Sequence, residues 1–329
     1  MKTILFLSKG ETAPSTRYRA MAYFNRLRSD GWTPVHLTAQ RSLVPRLQIL
    51  RMAAAADVVV VLRKTFGLYY INLLRKFSRR LFFDFDDAIY CQSDGRPSAP
   101  KMKRFRNAVR LCDGVWAGNH FLGRAAQAYQ PQVWVLPTAL DPLKYERAAD
   151  KPDNRLVFVW IGSKSTRKYL KTELPTFERL AQRLMSMELK IVADFSLASD
   201  RLPISVVPWS EATEAEALLT SHIGIAPMPD NERTRGKCGL KVLQYMAAAL
   251  PVISSPSGVN AEIIEDGKTG FLPRNDQEWY QAAKYLNENP ALRERIGQAG
   301  RGKVRREYSV DAVYQTMKRC LDEMSPRHS

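Results

Sequence analysis

Cysteine is scarce in this chain, and the four present, Cys91, Cys112, Cys238 and Cys320, are too widely spaced to form a metal-type pair. That excludes a disulfide framework and a cysteine-based metal site, and leaves free thiols in a reducing compartment as the expectation. Histidine is equally sparse: His36, His120, His222 and His328 form no triad and no ligand set. No uncharged run reaches the roughly 20 residues that span a bilayer. The most apolar window, Met52 to Leu62, contains Asp57. The opening run Ile4-Leu5-Phe6-Leu7 is too short for a signal peptide, ends at Ser8-Lys9-Gly10 without a small-residue cleavage pattern, and reads as a first buried strand. Internal repeats and low-complexity tracts are missing as well.

What is present is positive charge, unevenly spread. The net charge is +17 over 329 residues. Residues 1–150 hold 24 Lys and Arg against 11 Asp and Glu, and the remainder 26 against 22. The excess is densest at Arg63, Lys64, Arg75, Lys76, Arg79 and Arg80, and again at Lys101, Lys103, Arg104, Arg106 and Arg110. Such a surface points to nucleic acid, an anionic membrane or an acidic substrate, against the plainer reading of a solvated face.

Length and an apolar fraction of 45% suit two domains with real cores. The first half alternates short apolar runs with helical patterns. Strands are expected at Thr3–Leu7, Pro34–Leu37, Asp57–Leu62, Leu81–Asp86, Gly114–Ala117 and Val133–Leu136, with a helix over Arg17–Arg28. A polar stretch, Arg147 to Asn154, is the linker candidate. The pattern restarts with strands at Leu156–Ile161, Leu189–Val192, Ile204–Val207, Ile223–Ala226, Pro251–Ser254 and Gly270–Leu272. The expected fold is α/β: two Rossmann-like, doubly wound parallel sheets facing a cleft, over residues 1–150 and 151–308. The tail, 309–329, is expected to be a helix returning to the first domain.

One segment carries most of the chemistry. Thr234-Arg235-Gly236-Lys237-Cys238-Gly239-Leu240-Lys241 follows the strand Ile223–Ala226 and opens a helix that ends before Pro251. Backbone N–H groups and the positive helix end form an anion site. Lys237 and Lys241, four residues apart, are expected on one side of that helix, facing a diphosphate.

The segment through Gln244-Tyr245-Met246-Ala247 resembles the donor-binding signature of retaining glycosyltransferases of the GT-B fold, in the family numbered four. It is closest in pattern to a bacterial subgroup written Gly-Lys-Cys-Gly-x-Lys-x-x-Gln-Tyr-Met-Ala. Trp160-Ile161-Gly162-Ser163-Lys164-Ser165-Thr166-Arg167-Lys168, Pro208-Trp209-Ser210, Ser255-Pro256-Ser257-Gly258 and Gly267-Lys268-Thr269-Gly270 agree with it too. In the first half the match rests on Ser15-Thr16-Arg17-Tyr18-Arg19 and Phe83-Asp84-Phe85-Asp86-Asp87. The wider family carries two glutamates where this chain has Gly236 and Gln244.

The resemblance implies transfer of a sugar from a nucleotide-sugar donor to a carbohydrate or lipid-linked acceptor, with retained anomeric configuration and neither cofactor nor metal. The donor set it implies is Gly162, Ser163, Ser165, Thr166, Lys168, Gly236, Lys237, Cys238, Gly239, Leu240, Lys241 and Gln244. Gln244 would hold the ribose and Lys241 the diphosphate; Asp230 or Glu232 either contacts the sugar in place of the missing glutamate or belongs to a polar surface loop. The hydroxyls of Ser163, Ser165 and Thr166 either meet phosphate or cap the next helix. Asp84, Asp86 and His120 join Lys241 as catalytic candidates. One of the acids would orient or deprotonate an acceptor hydroxyl, a role that competes with structural pairing to arginine. The amphipathic stretch Leu68–Phe77 within the basic first half fits an anionic membrane, hence a cytoplasmic protein attached to the inner face of the membrane. The rivals are a catalytically silent nucleotide-sugar binder and a nucleic-acid-binding protein, the second disfavoured because no nucleic-acid motif is present.

Overall fold

The computed structural model describes residues 2–40, 42–184 and 186–323; His328 and the last residues of the expected tail helix lie outside them. In chain order the first part comprises β1 (Lys2–Ser8), α1 (Pro14–Arg19), α2 (Phe24–Ser29), β2 (Trp32–Thr38), α3 (Leu43–Ala55), β3 (Val58–Leu62) and α4 (Leu68–Phe77). It continues through β4 (Leu81–Phe85), α5 (Ala99–Leu111), β5 (Gly114–Ala117), α6 (His120–Gln127) and β6 (Val133–Val135). Then come β7 (Leu156–Ile161), α7 (Arg167–Arg183), β8 (Met187–Ala193), β9 (Ile204–Pro208), α8 (Glu211–Leu219), β10 (Ile223–Ala226), α9 (Glu232–Arg235) and α10 (Leu240–Ala247). The chain ends with β11 (Val252–Ser254), α11 (Asn260–Ile263), β12 (Gly270–Phe271), α12 (Asp276–Glu288), α13 (Pro290–Lys303) and α14 (Val310–Glu323).

Two compact units result. Unit 1 is Met1–Leu140 with Asn231–Cys238 and Tyr308–Ser329; unit 2 is Asp141–Asp230 with Gly239–Glu307. The Gly236-to-Gln244 motif therefore straddles a unit boundary, its first three residues grouping with unit 1.

Each unit is built on a parallel sheet of six strands, in the order β2-β1-β3-β4-β5-β6 in unit 1 and β12-β11-β10-β7-β8-β9 in unit 2. The central strands are unbroken apolar runs because both their faces are covered: β3 reads Val-Val-Val-Val-Leu and β7 Leu-Val-Phe-Val-Trp-Ile, every residue buried. In unit 1, α3, α4, α5 and α6 cover one face through Ile49, Ile71, Phe105 and Leu122. On the other face α14 lays Val313, Tyr314, Met317, Cys320 and Leu321, a helical stripe, against Phe6, Val60 and Trp116.

The helix expected over Arg17–Arg28 is broken. Its first part ends at Arg19, Ala20 leaves helical geometry (φ −130°, ψ −67°), and α2 starts at Phe24. The break turns the Arg19 side chain into the interior, where Asp84 holds it. All four cysteines are buried and unpaired. No helix among the described residues is long and apolar enough to cross a membrane.

Candidate functional site

In unit 2 the chain winds away from β7 in both directions, so the sheet has its switch point between β7 and β10. Open parallel sheets bind ligands at such points, beyond the carboxyl ends of the strands. The residues gathered there are organised around Trp160, near the end of β7 and wholly buried. Gly162 follows it closely: a Cβ there would stand 2.2 Å from the indole. From α10 the Lys241 ammonium reaches to 4.1 Å from the Trp160 ring centroid, within cation–π range. The loop after β7 and the first turn of α10 thus meet across one indole.

Tyr245 locks α10 in that place. Its hydroxyl accepts the Ile161 N–H at 2.8 Å and donates to the Ile225 carbonyl at 3.1 Å, tying the helix to both strands of the switch. The tyrosine ring fills the space a side chain at Gly224 would need, 2.3 Å from an added Cβ. Gln244, beside it, is 3% exposed. The start of α10 requires glycine on two counts: Gly239 has φ +67°, and a Cβ would stand 2.4 Å from Ile263. Gly239 brings no side chain to cap the helix, so the first amides, from half-buried Leu240 onward, keep their positive character.

The hydroxyls of the other loop are engaged with one another. Ser163 Oγ lies 2.9 Å from Ser165 Oγ, the Ser163 N–H donates to Thr166 Oγ1 at 3.2 Å, and the Thr166 hydroxyl donates to the Ser163 carbonyl at 3.1 Å. They close the turn that launches α7. Lys168, exposed on the first turn of α7, lies 5.3 Å from the Tyr169 ring.

Unit 1 gathers a cluster of charges beyond its own switch point, between β1 and β3. Asp84 is fully buried in a two-pronged pair with Arg19, both contacts 2.6 Å, and Arg19 also donates to the Leu136 carbonyl at 2.9 Å. Burial works against charge on Arg19, but Asp84 overcomes it and holds the guanidinium pKa above its ordinary value. Asp84 is therefore corrected from acceptor-facing acid to structural anchor, because Arg19 occupies both of its oxygens.

Asp86 and Asp87 share Arg63, at 3.2 and 2.8 Å, and Arg233 reaches Asp87 at 2.6 Å. Arg63 stands in the left-handed region, φ 56°, an uncommon place for a side-chain-bearing residue. Oδ1 of Asp87 is buried without a hydrogen-bond partner, and Oδ1 of Asp86, buried too, faces Arg63 Nε at 3.2 Å.

The motif residues of unit 1 are held by packing. Gly236 lies against Ala88, whose backbone nitrogen would be 2.7 Å from an added Cβ, so the glutamate of the wider family has no room here. Cys238 donates its thiol to the Asp86 carbonyl at 3.3 Å, and burial pushes its pKa up. Asn119 Nδ2 donates to the Lys237 and Arg235 carbonyls at 2.8 and 3.1 Å. Lys237 precedes α10 rather than lying on it, so the helical spacing expected to align it with Lys241 does not apply. Burial pulls the Lys237 amine below its ordinary value, with Asp87 opposing. His120 is exposed at the first position of α6, which Asn119 caps by accepting the Leu122 N–H at 2.8 Å. Asp230 and Glu232 are exposed. No group of acids, histidines and cysteines that could hold a metal occurs among the described residues.

The family described as glycosyl transferases group 1 matches residues 121–289, just over half of the chain. The chain belongs to that family. No curated protein matches it in sequence. Among solved structures, a sucrose-phosphate synthase from Thermosynechococcus elongatus superposes with TM-score 0.76 at 13% identity, over 98% of this chain and 99% of that one. A glycosyltransferase from Rickettsia africae gives 0.75 at 15%, over 98% of each chain. Anabaena HepE, in complex with UDP and glucose, gives 0.73 at 13%, over 98% of this chain and all of that one. At such identities the likeness speaks for the fold, and the fold of this glycosyltransferase is GT-B.

Sequence reasoning missed the binding partners of the glycosyltransferase's motif residues. Trp160 and Tyr245 were inside the quoted motifs, yet nothing local marks one as the lysine's platform or the other as the bolt between strands. Asn119 and Arg233 carried no signal beyond being polar residues in loops.

Proposed function

We propose that this glycosyltransferase is a retaining, metal-independent enzyme of family four that uses a nucleoside diphosphate sugar, with unit 2 as its donor-binding body. The observation that carries the proposal is the meeting of the Gly162 loop and Lys241 across Trp160 at the switch point of unit 2. Lys241, the uncapped amides at the start of α10 and Lys168 supply positive charge to the diphosphate. Ser163, Ser165 and Thr166 exchange their mutual hydrogen bonds for phosphate oxygens, and Gln244 takes the ribose hydroxyls. The UDP of the HepE complex supports a uridine nucleotide as the first to try.

In this reading unit 1 binds the acceptor. Asp87 Oδ1, which has no hydrogen-bond partner, and Asp86 Oδ1, beside Arg63, accept from its hydroxyls, and exposed His120 contacts it nearby. The sugar's C1–O bond to the diphosphate breaks, the acceptor oxygen bonds to C1 on the same face, and the acceptor proton leaves with the diphosphate. A carbohydrate or lipid-linked acceptor at the inner membrane face places the enzyme in cell-surface polysaccharide or glycolipid synthesis.

Incubation with a panel of nucleotide sugars and simple glycoside acceptors, with and without a chelator, tests this. Nucleoside diphosphate release that resists the chelator, with a product of unchanged anomeric configuration by NMR, is expected. An inverted product, or release abolished by chelation, contradicts it.

A further inference from the structure

The sequence reading placed lipid-facing charge on Arg75, Lys76, Arg79 and Arg80. Three of these have partners within unit 1: Arg75 pairs with Asp113, Arg79, its side chain 66% exposed, with Asp57, and Arg80 donates to the Leu321 carbonyl. Phe77, at the end of α4, is 43% exposed, but most of the exposed apolar surface of unit 1 lies toward the starts of α3 and α4. Leu43, Val44 and Leu47 are 71, 77 and 57% exposed, and Leu68 and Tyr69 are 56 and 80% exposed. Arg46 joins the two turns: its carbonyl accepts the Tyr70 hydroxyl at 3.3 Å, and its guanidinium covers the Tyr70 ring at 4.9 Å. The opposite faces of the helices, Ile49, Leu50 and Ala53 on α3 and Ile71 and Leu74 on α4, are already committed to the core.

The helices that carry this patch, and α5 beside them, hold charge of one sign. Helices α3, α4 and α5 contain no Asp or Glu and nine Lys and Arg. None of the three has a side-chain cap or an acid in its first turn, so each helix dipole adds to the positive potential there. The acids nearest in sequence are engaged: Asp57 accepts from Thr3 and Arg79, and Asp113 from Leu81 and Arg75.

We infer that the first turns of α3 and α4 form a docking surface for an anionic lipid bilayer, with Leu43, Val44, Leu47 and Leu68 entering the acyl boundary and Tyr69 at headgroup level. A bilayer offers negative charge above apolar depth, which is the complement of this patch. A nucleic acid would set phosphates against leucine and valine, which donate nothing. A second copy would oppose positive charge to positive charge. Helices that follow parallel strands begin at the carboxyl edge of the sheet, so the docked edge is also the one carrying Arg63, Asp86 and Asp87. That placement rests on the acceptor role proposed above for unit 1 and narrows the acceptor to one carried on a lipid.

Flotation of the intact protein with vesicles tests the surface. Wild type should float with phosphatidylcholine vesicles containing phosphatidylglycerol, stay behind with pure phosphatidylcholine, and be released by salt. Leu43→Ser with Leu47→Ser should lower partition at least about tenfold, with an unchanged urea midpoint as the check that unit 1 still folds. Tyr69→Trp should shift its emission to the blue on acidic vesicles. Wild type that fails to float, a double variant that floats as well as wild type, or a wild-type dimer dissolved by the same double substitution would each overturn the inference. Absent UDP binding with intact flotation would count against the proposed chemistry alone.

Discussion

The two units solve one architectural problem with different chemistry. Both are parallel six-stranded sheets with a switch point beside the first strand. In unit 2 that point is fastened by a neutral group, the Tyr245 hydroxyl that bridges β7 and β10, while Trp160 receives Gly162 and the Lys241 ammonium. In unit 1 it is fastened by buried charge, with Asp84 on Arg19 and Arg63 spanning Asp86 and Asp87. The helical layers differ in the same sense. Unit 2 starts α8 with Glu211 and Glu214 behind a Ser210 cap and α12 with Asp276 and Glu278 behind Asn275, the usual stabilising arrangement. Unit 1 leaves α3, α4 and α5 without either. In unit 2 α7, α10 and α13 also lack both, and α7 and α10 carry Lys168 and Lys241 in their first turns, whereas unit 1 spreads positive charge over α3, α4 and α5.

Breaking the fastening of each unit in turn sharpens the contrast. Arg19→Leu strands the Asp84 carboxylate in a dry interior, and the expected loss is about 3–5 kcal/mol of stability, the cost of removing one partner of a buried pair. Urea unfolding reads it; a loss under about 1 kcal/mol would mean that Asp84 is neutral or rehydrated and that unit 1 is not held by charge. Asp84→Asn together with Arg19→Leu should recover part of the loss.

Tyr245→Phe is the smaller perturbation. It removes one donor and one acceptor at the switch of unit 2 and should cost about 2 kcal/mol, with faster hydrogen exchange at the Ile161 amide. An unaltered exchange rate there would show that β7 is held without the tyrosine.

Much of the frame was legible in the sequence, for identifiable reasons. The central strands of both sheets, such as β3 and β7, were marked by unbroken apolar runs because both of their faces are covered, and the outer strands β2 and β9 by shorter ones. The Gly-rich start of α10 was readable since Gly239 answers a backbone demand. The break after Arg19 was not, and the residue that Arg19 pairs with there, Asp84, is 65 residues away. Nor was the division of the motif: Gly236 and Cys238 look like ligand-contacting residues until Ala88, Asp86 and Asn119 are seen against them. The partners of the basic residues Arg75 and Arg79 were hidden for a similar reason. A run of bases in sequence does not reveal which of them meet Asp57 and Asp113 in the fold.

The central claim is that unit 2 holds the donor diphosphate through Lys241 above Trp160. Calorimetric titration of UDP, followed by the other nucleoside diphosphates, into wild type and Lys241→Ala tests it most directly. The account predicts measurable binding to wild type and a loss of about tenfold to a hundredfold in the variant, since a charge-assisted contact contributes about 1.5–3 kcal/mol, with the urea midpoint unchanged. Equal affinity of the folded variant and wild type for the nucleotide that binds would contradict it.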